Sequence, residues 1–130
     1  QTKHSLSNMH VIKPVKFVQR NIDSDELTTD RKYDVINISE VLEHLENPQQ
    51  ALKNAHEILS DHGILYINFP INSPAPDHIY LLRTVDEVEE LIKSAGFKIK
   101  GSTAYPESGY SLQKALDLSA TISCIVTATK

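Results

Sequence analysis

Residues Tyr33 to Pro48 read Tyr-Asp-Val-Ile-Asn-Ile-Ser-Glu-Val-Leu-Glu-His-Leu-Glu-Asn-Pro, and the fold turns on how this stretch is read. Tyr33 to Ile38 is β-rich and almost continuously apolar, the pattern of a strand buried on both faces of a parallel sheet. It breaks at Ser39, and Glu40, Glu43 and His44 then crowd into five residues. In an open α/β sheet, ligands bind outside the carboxyl ends of the strands, which is where these polar residues begin. A helix starting near Ser39 puts Glu40, Glu43 and His44 on one face by the i, i+3, i+4 rule. Two carboxylates and an imidazole converging on one point can hold a divalent cation, and His78, from a later loop, can complete the set.

Working outward, Val15 to Gln19 is β-branched and aromatic and reads as a strand ahead of this one. Asn21-Ile22-Asp23 ends it, and Ser24 to Lys32 reads as a polar surface loop or short helix. Residues 1–13 read as a flexible lead-in, so the domain is expected over 14–130. Downstream, Asn47-Pro48 is a helix start, with Asn as cap and Pro in the first turn. Ala51, Leu52, Ala55, Ile58 and Leu59 follow at helical spacing, and Gly63 is the expected stop. Ile64 to Phe69 is the next strand. The loop after it, Ile71 to His78, lies in a region holding Pro70, Pro74 and Pro76. Thr84-Val85-Asp86-Glu87 is a capping box opening a helix with Val88, Leu91, Ile92 and Ala95 as its buried stripe, ended by Gly96. Phe97 to Ser102 is a strand, Ser111 to Leu118 a short helix or turn, and Ala120 to Thr129 the last strand. The order implies an α/β sheet, parallel at first and closed by a hairpin-like pair.

The bulk numbers narrow the function. At 130 residues and 40% hydrophobic, the chain suits one domain with a real core. A net charge of −4 with scattered basic residues gives no footprint for nucleic acid. No apolar run approaches the ~20 residues that span a bilayer, and no membrane partner is expected. The lone cysteine, Cys124, cannot form an internal disulfide, which fits a reducing, cytoplasmic location.

Tyr-Asp-Val-Ile, Ser-Glu-Val-Leu-Glu-His-Leu-Glu-Asn-Pro, the helix ending Ile-Leu-Ser-Asp-His-Gly, Ile-Leu-Tyr-Ile-Asn-Phe-Pro and the Ala-Gly-Phe at 95–97 together resemble class I S-adenosylmethionine-dependent methyltransferases. The resemblance runs over roughly residues 15–130. It implies a Rossmann-like, mostly parallel sheet of about five strands with an antiparallel last strand, and methyl transfer to a small-molecule acceptor. One part is missing: the four glycines, Gly63, Gly96, Gly101 and Gly109, are all downstream, so no Gly-x-Gly loop precedes the first strand. The chain therefore resembles the later two-thirds of such a domain, without its first β-α-β unit. Two expectations follow. This chain alone should bind S-adenosylmethionine weakly or not at all. A free sheet edge should also be covered, by the first strand or by a second chain in a homodimer.

The resemblance assigns roles as well. Asn21, Ile22 and Asp23 stand where the family contacts adenine, although Asn and Asp also favour plain strand-ending turns. Ser39 and Glu40 fall on the cofactor-side rim. Glu43, His44 and His78 are candidate bases or metal ligands, because a Glu-x-x-Glu-His with a later His is similar to the metal sites of ubiquinone-biosynthesis O-methyltransferases and small-RNA ribose methyltransferases. The same residues equally fit a histidine packed beside the cofactor and a glutamate lining the pocket. Tyr80, Tyr105 and Tyr110 are candidates for an acceptor pocket, Tyr66 reads as core, and His56 and His62 as solvated or capping residues. The competing reading is a catalytically inactive methyltransferase-like interaction module.

Overall fold

In the computed structural model, the thirteen-residue strand β2, Leu59–Ile71, is paired on one side through its first part and middle and on the other over its last seven residues, 65–71. Strand β1, Tyr33–Ser39, runs parallel to it; β4, Ile122–Thr129, runs antiparallel to it and pairs on its other side with β3, Lys98–Pro106. The sheet order is β1-β2-β4-β3. The structure describes residues 14–24, 27 and 31–130; the expected lead-in over 1–13 and most of the expected loop at 24–32 lie outside them.

Three α-helices lie among the described residues. α1, Pro48–Ile58, starts as the sequence indicates: the Asn47 side chain accepts from the Gln50 amide and Pro48 occupies the first turn. α2, Val85–Ser94, opens on the expected capping box, the Thr84 hydroxyl accepting from Glu87 N while Glu87 Oε1 accepts from the Thr84 hydroxyl and the Arg83 amide. It closes at Gly96, whose φ of 102° is the left-handed backbone a C-terminal stop needs. α3, Leu112–Asp117, is a short helix capped by Ser111.

One face of the sheet carries the core. Leu65, Ile67, Phe69 and Ile71 of β2 and Ile122, Cys124, Val126 and Ala128 of β4 are buried there. They share one apolar cluster with Leu52 and Ala55 of α1 and Val88, Leu91 and Ile92 of α2. The opposite face keeps Val35, Ile64 and Tyr66 at 66, 47 and 39% exposure.

The structure corrects several expectations. Residues 15–19 form no strand: Val15, Phe17 and Val18 are exposed, and without burial nothing offsets the entropy of holding them extended. Among the described residues the sheet therefore has four strands, and no ladder covers the outer edge of β1. β1 is buried on one face only, so its run of apolar residues marks an uncovered side and not a double-sided burial. Tyr66 lies on that uncovered side and is not core. Gly63 does not end α1. The chain passes from Ile58 straight into β2, and Gly63 sits inside the strand, where a Cβ would come within 2.5 Å of Leu59 Cδ1. His56 is not merely solvated; its ring meets Phe97 edge-on at 4.9 Å.

Candidate active site at the carboxyl end of β1

No helix begins at Ser39. Glu40 adopts a left-handed φ of 53°, and its amide donates to the carbonyl of Asn68 at the end of the neighbouring strand. This reverses the chain tightly, and a single 3₁₀ turn, Leu42–His44, follows. Leu42, 1% exposed, plugs that turn into the core and carries Glu43 inside with it.

The Pro-rich loop after β2 is stitched onto this turn. The Glu43 carbonyl accepts from the amides of Ile79 at 2.8 Å and Tyr80 at 3.0 Å. That brings His78 to His44, with ring centroids 4.7 Å apart in a T-shaped pair. Each imidazole is held through Nδ1: His44 against the Asp77 carbonyl at 2.9 Å, His78 against the Ser73 carbonyl at 3.3 Å. A carbonyl can only accept, so each Nδ1 carries a hydrogen, and in the neutral ring Nε2 keeps its lone pair.

Glu43 is 1% exposed, and neither carboxylate oxygen has a hydrogen-bond partner. Oε1 lies 3.5 Å from His44 Nε2. Burial pushes the Glu43 carboxyl above its ordinary value, opposed by the nearby dipole of its own backbone amide and by His44 and His78, while Glu40 adds to the rise. A buried carboxylate without partners is costly unless a proton or a cation sits on it.

The donor atoms of Glu43, His44 and His78 all lie within 4.8 Å of one another. Ligands about a cation bound at roughly 2.0–2.2 Å stand about 3–4 Å apart, so a modest contraction of the three would enclose one. Two imidazoles and one carboxylate are a known ligand set for zinc and for other first-row transition metals, with positions left open for a substrate.

The sequence-named residues thus separate. Glu43, His44 and His78 come together; Glu40, whose backbone is left-handed, is not in the group among the described residues. Ser39 lies at the end of β1, its hydroxyl donating to Asn37 Oδ1 at 2.6 Å. Asn21, Ile22 and Asp23 form a turn docked on α1: the Ile22 carbonyl accepts from Asn54 Nδ2, and Asp23 Oδ2 accepts from the Asn47 amide. The tyrosines do not share one pocket. Tyr80 lies against the core, Tyr105 is on the uncovered sheet face, and Tyr110 stacks under Lys114. Sequence reading missed Asp77 and Ser73, which orient the two imidazoles through their backbone carbonyls, a role that leaves no side-chain signature.

A family profile described as a methyltransferase domain matches residues 1–65, half of the chain. No match is found among curated proteins. Solved structures share the architecture at low identity. The [4+2]-cyclase SpnF superposes with a TM-score of 0.73 at 15% identity, over 98% of this chain and 61% of its own. An O-methyltransferase from a trans-AT polyketide synthase of Brevibacillus brevis, solved with S-adenosyl-L-homocysteine, gives 0.67 at 15% identity, over 98% and 53%. The N-methyltransferase NodS of Bradyrhizobium japonicum, also solved with S-adenosyl-L-homocysteine, gives 0.67 at 14%, over 97% and 59%. The chain thus spans little more than half the length of these proteins. One of the three is a cyclase, a reminder that such a fold hosts more than one chemistry.

Proposed function

Since the chain belongs to the class I S-adenosylmethionine-dependent methyltransferases, we propose that in the complete protein it forms the acceptor side of a methyl-transfer site. Glu43, His44 and His78 would act there on a small-molecule hydroxyl. The observation that carries this reading is the Glu43 carboxylate, buried beside two imidazoles at a strand end with both oxygens unpartnered. S-adenosylmethionine supplies an electrophilic methyl group, so the protein's main tasks are positioning the nucleophile and taking its proton. Glu43 is suited to the second task, because burial raises its affinity for a proton. His44 presents Nε2 to it at 3.5 Å, and a ring nitrogen of His78 belongs to the same group, so the imidazoles can share that proton.

The same three residues would hold a divalent cation, which when bound would polarise the acceptor hydroxyl and lower its pKa. Two imidazoles favour zinc or manganese over magnesium, which prefers oxygen ligands. Asn21, Ile22, Asp23, Ser39 and Glu40 remain the residues offered toward the cofactor. The fit is partial, because no glycine precedes Gly63 and the Ile22 carbonyl and Asp23 carboxylate are already engaged with α1. For this reason a second reading stands beside the first, an inactive methyltransferase-like interaction module. The edge of β1, unpaired among the described residues, supports association, either as a homodimer or with another polypeptide.

Calorimetry with S-adenosylmethionine separates these readings. The 130-residue chain should show binding no tighter than about millimolar, and a longer product of the same gene should bind at micromolar concentration and methylate an acceptor. A longer product that binds the cofactor but transfers no methyl group would favour the interaction module. Sedimentation equilibrium reports on the free edge: a monomer at all concentrations would exclude the homodimer.

A further inference from the structure

The loop that carries His78 also borders a cavity of about 260 Å³, lined by Asn72, Ser73, Pro74, Leu81, Leu82, Arg83 and Ser119. We propose that this cavity is an anion subsite, in which Arg83 takes the carboxylate or phosphate of a small acceptor whose apolar body lies over Pro74 and Leu81. This rests on the acceptor-side reading above and deepens it.

Four observations carry the proposal. The cavity has one charged lining residue, Arg83, on an apolar floor, and among the described residues no ion pair involves Arg83. Glu87, four residues on, is committed to the capping box through Thr84 and the Arg83 amide, and no ion pair joins Asp86 to Arg83 among the described residues. In a chain of net charge −4, an arginine without a carboxylate partner beside a cavity is the group an anion would find.

The frame is also tied from several sides. The Asn72 amide donates to the Leu82 carbonyl at 3.0 Å, the Asn72 carbonyl accepts from Thr121 Oγ1 at 3.2 Å, and Asn72 Nδ2 reaches the Arg83 carbonyl at 3.5 Å. Two lining residues, Asn72 and Ser119, hold left-handed φ values of 54° and 52°. Backbone strain of this kind persists only where surrounding structure fixes it, and it gathers at ligand sites.

Position links the cavity to the chemistry. Ser73 lines the cavity, and its carbonyl orients His78. The cavity wall and the His78 ring are therefore joined through one residue, and an acceptor anchored at Arg83 would extend from that shared wall. The volume lies below the roughly 300–1,000 Å³ of a complete small-molecule pocket, which suits one end of an acceptor and not the whole of it.

The test titrates the ¹⁵N-labelled 130-residue chain with benzoate, phenyl phosphate and, as the uncharged control, benzamide. Benzoate or phenyl phosphate should give saturable amide shifts at Asn72, Ser73, Arg83 and Ser119, with benzamide at least about tenfold weaker. The stronger of the two anions names the headgroup, and either supports the site. Arg83→Gln should weaken the anion about tenfold, and Arg83→Lys should restore part of it. Arg83 is on the surface, so neither variant threatens the fold. Equal response to benzamide, shifts confined to other residues, or unchanged affinity in Arg83→Gln would overturn the proposal. Cation binding at Glu43, His44 and His78 is read separately, so either idea can fail while the other stands.

Discussion

The two faces of the sheet are drawn from the same four strands and have different fates. On one, Leu65, Ile67 and Phe69 are fully buried under α1 and α2. On the other, one residue along each strand, Ile64 and Tyr66 are partly exposed with Val35 beside them. The period of two sends neighbouring side chains to opposite faces, so apolar residues at consecutive positions show that both faces can be buried. The helices among the described residues cover one of them. The difference separates what the chain stabilises by itself from what it leaves open, and the candidate active site sits at the rim between the two.

Substitutions on the two faces should therefore differ sharply. Phe69→Ala, which empties a fully buried site, should cost about 3–5 kcal/mol in urea unfolding; a cost near that of a surface change would mean that the covered face is not the core. Cys124 tests the same face through pH. Burial pushes its thiol up to about 11 from 9.0, so the folded state keeps the proton to higher pH than the unfolded state. Stability contributed by the neutral thiol is then complete below pH 9 and lost as pH rises toward 11. Wild type should lose about 1.4 kcal/mol relative to Cys124→Ala between pH 8 and 10, by linkage. Parallel pH curves for the two proteins would show that the thiol is not buried.

Smaller effects sharpen the picture. Thr84→Ala removes the cap that starts α2, the helix over the covered face, and should cost about 1 kcal/mol. Ile64→Thr, on the open face, should change stability by no more than about 0.5 kcal/mol in the isolated chain. If it costs as much as Phe69→Ala, that face is covered in solution, and the second chain should appear in sedimentation.

How far the sequence revealed this structure follows from the physics of each element. Helix starts were legible because their signals are local: Asn47-Pro48 and the Thr84–Glu87 box act within one turn. The antiparallel last strand followed from the order of elements and the family resemblance. Residues 15–19 were misread because strand propensity says only that a segment suits a sheet, while a strand exists through a partner. The site was half legible. Glu43, His44 and His78 could be named by residue type, but the helix expected to align Glu40 with them was undone by one left-handed residue, which no side-chain pattern announces. Asp77 and Ser73 act through backbone carbonyls, and the cavity at Arg83 joins three separate segments, so neither leaves a local trace.

The central claim is that Glu43, His44 and His78 form one ligand-holding group. Its most direct test is calorimetric titration of the metal-free chain with zinc and with manganese, repeated on Glu43→Gln and His78→Ala. Wild type should bind one equivalent, and thermal unfolding at about a hundredfold excess over Kd should show roughly 2.7 kcal/mol of added stability. Glu43→Gln should fold, since a neutral amide replaces a buried carboxylate without partners, and both variants should lose the binding. Equal affinity in wild type and both variants, or no binding of either metal by wild type, would contradict the claim.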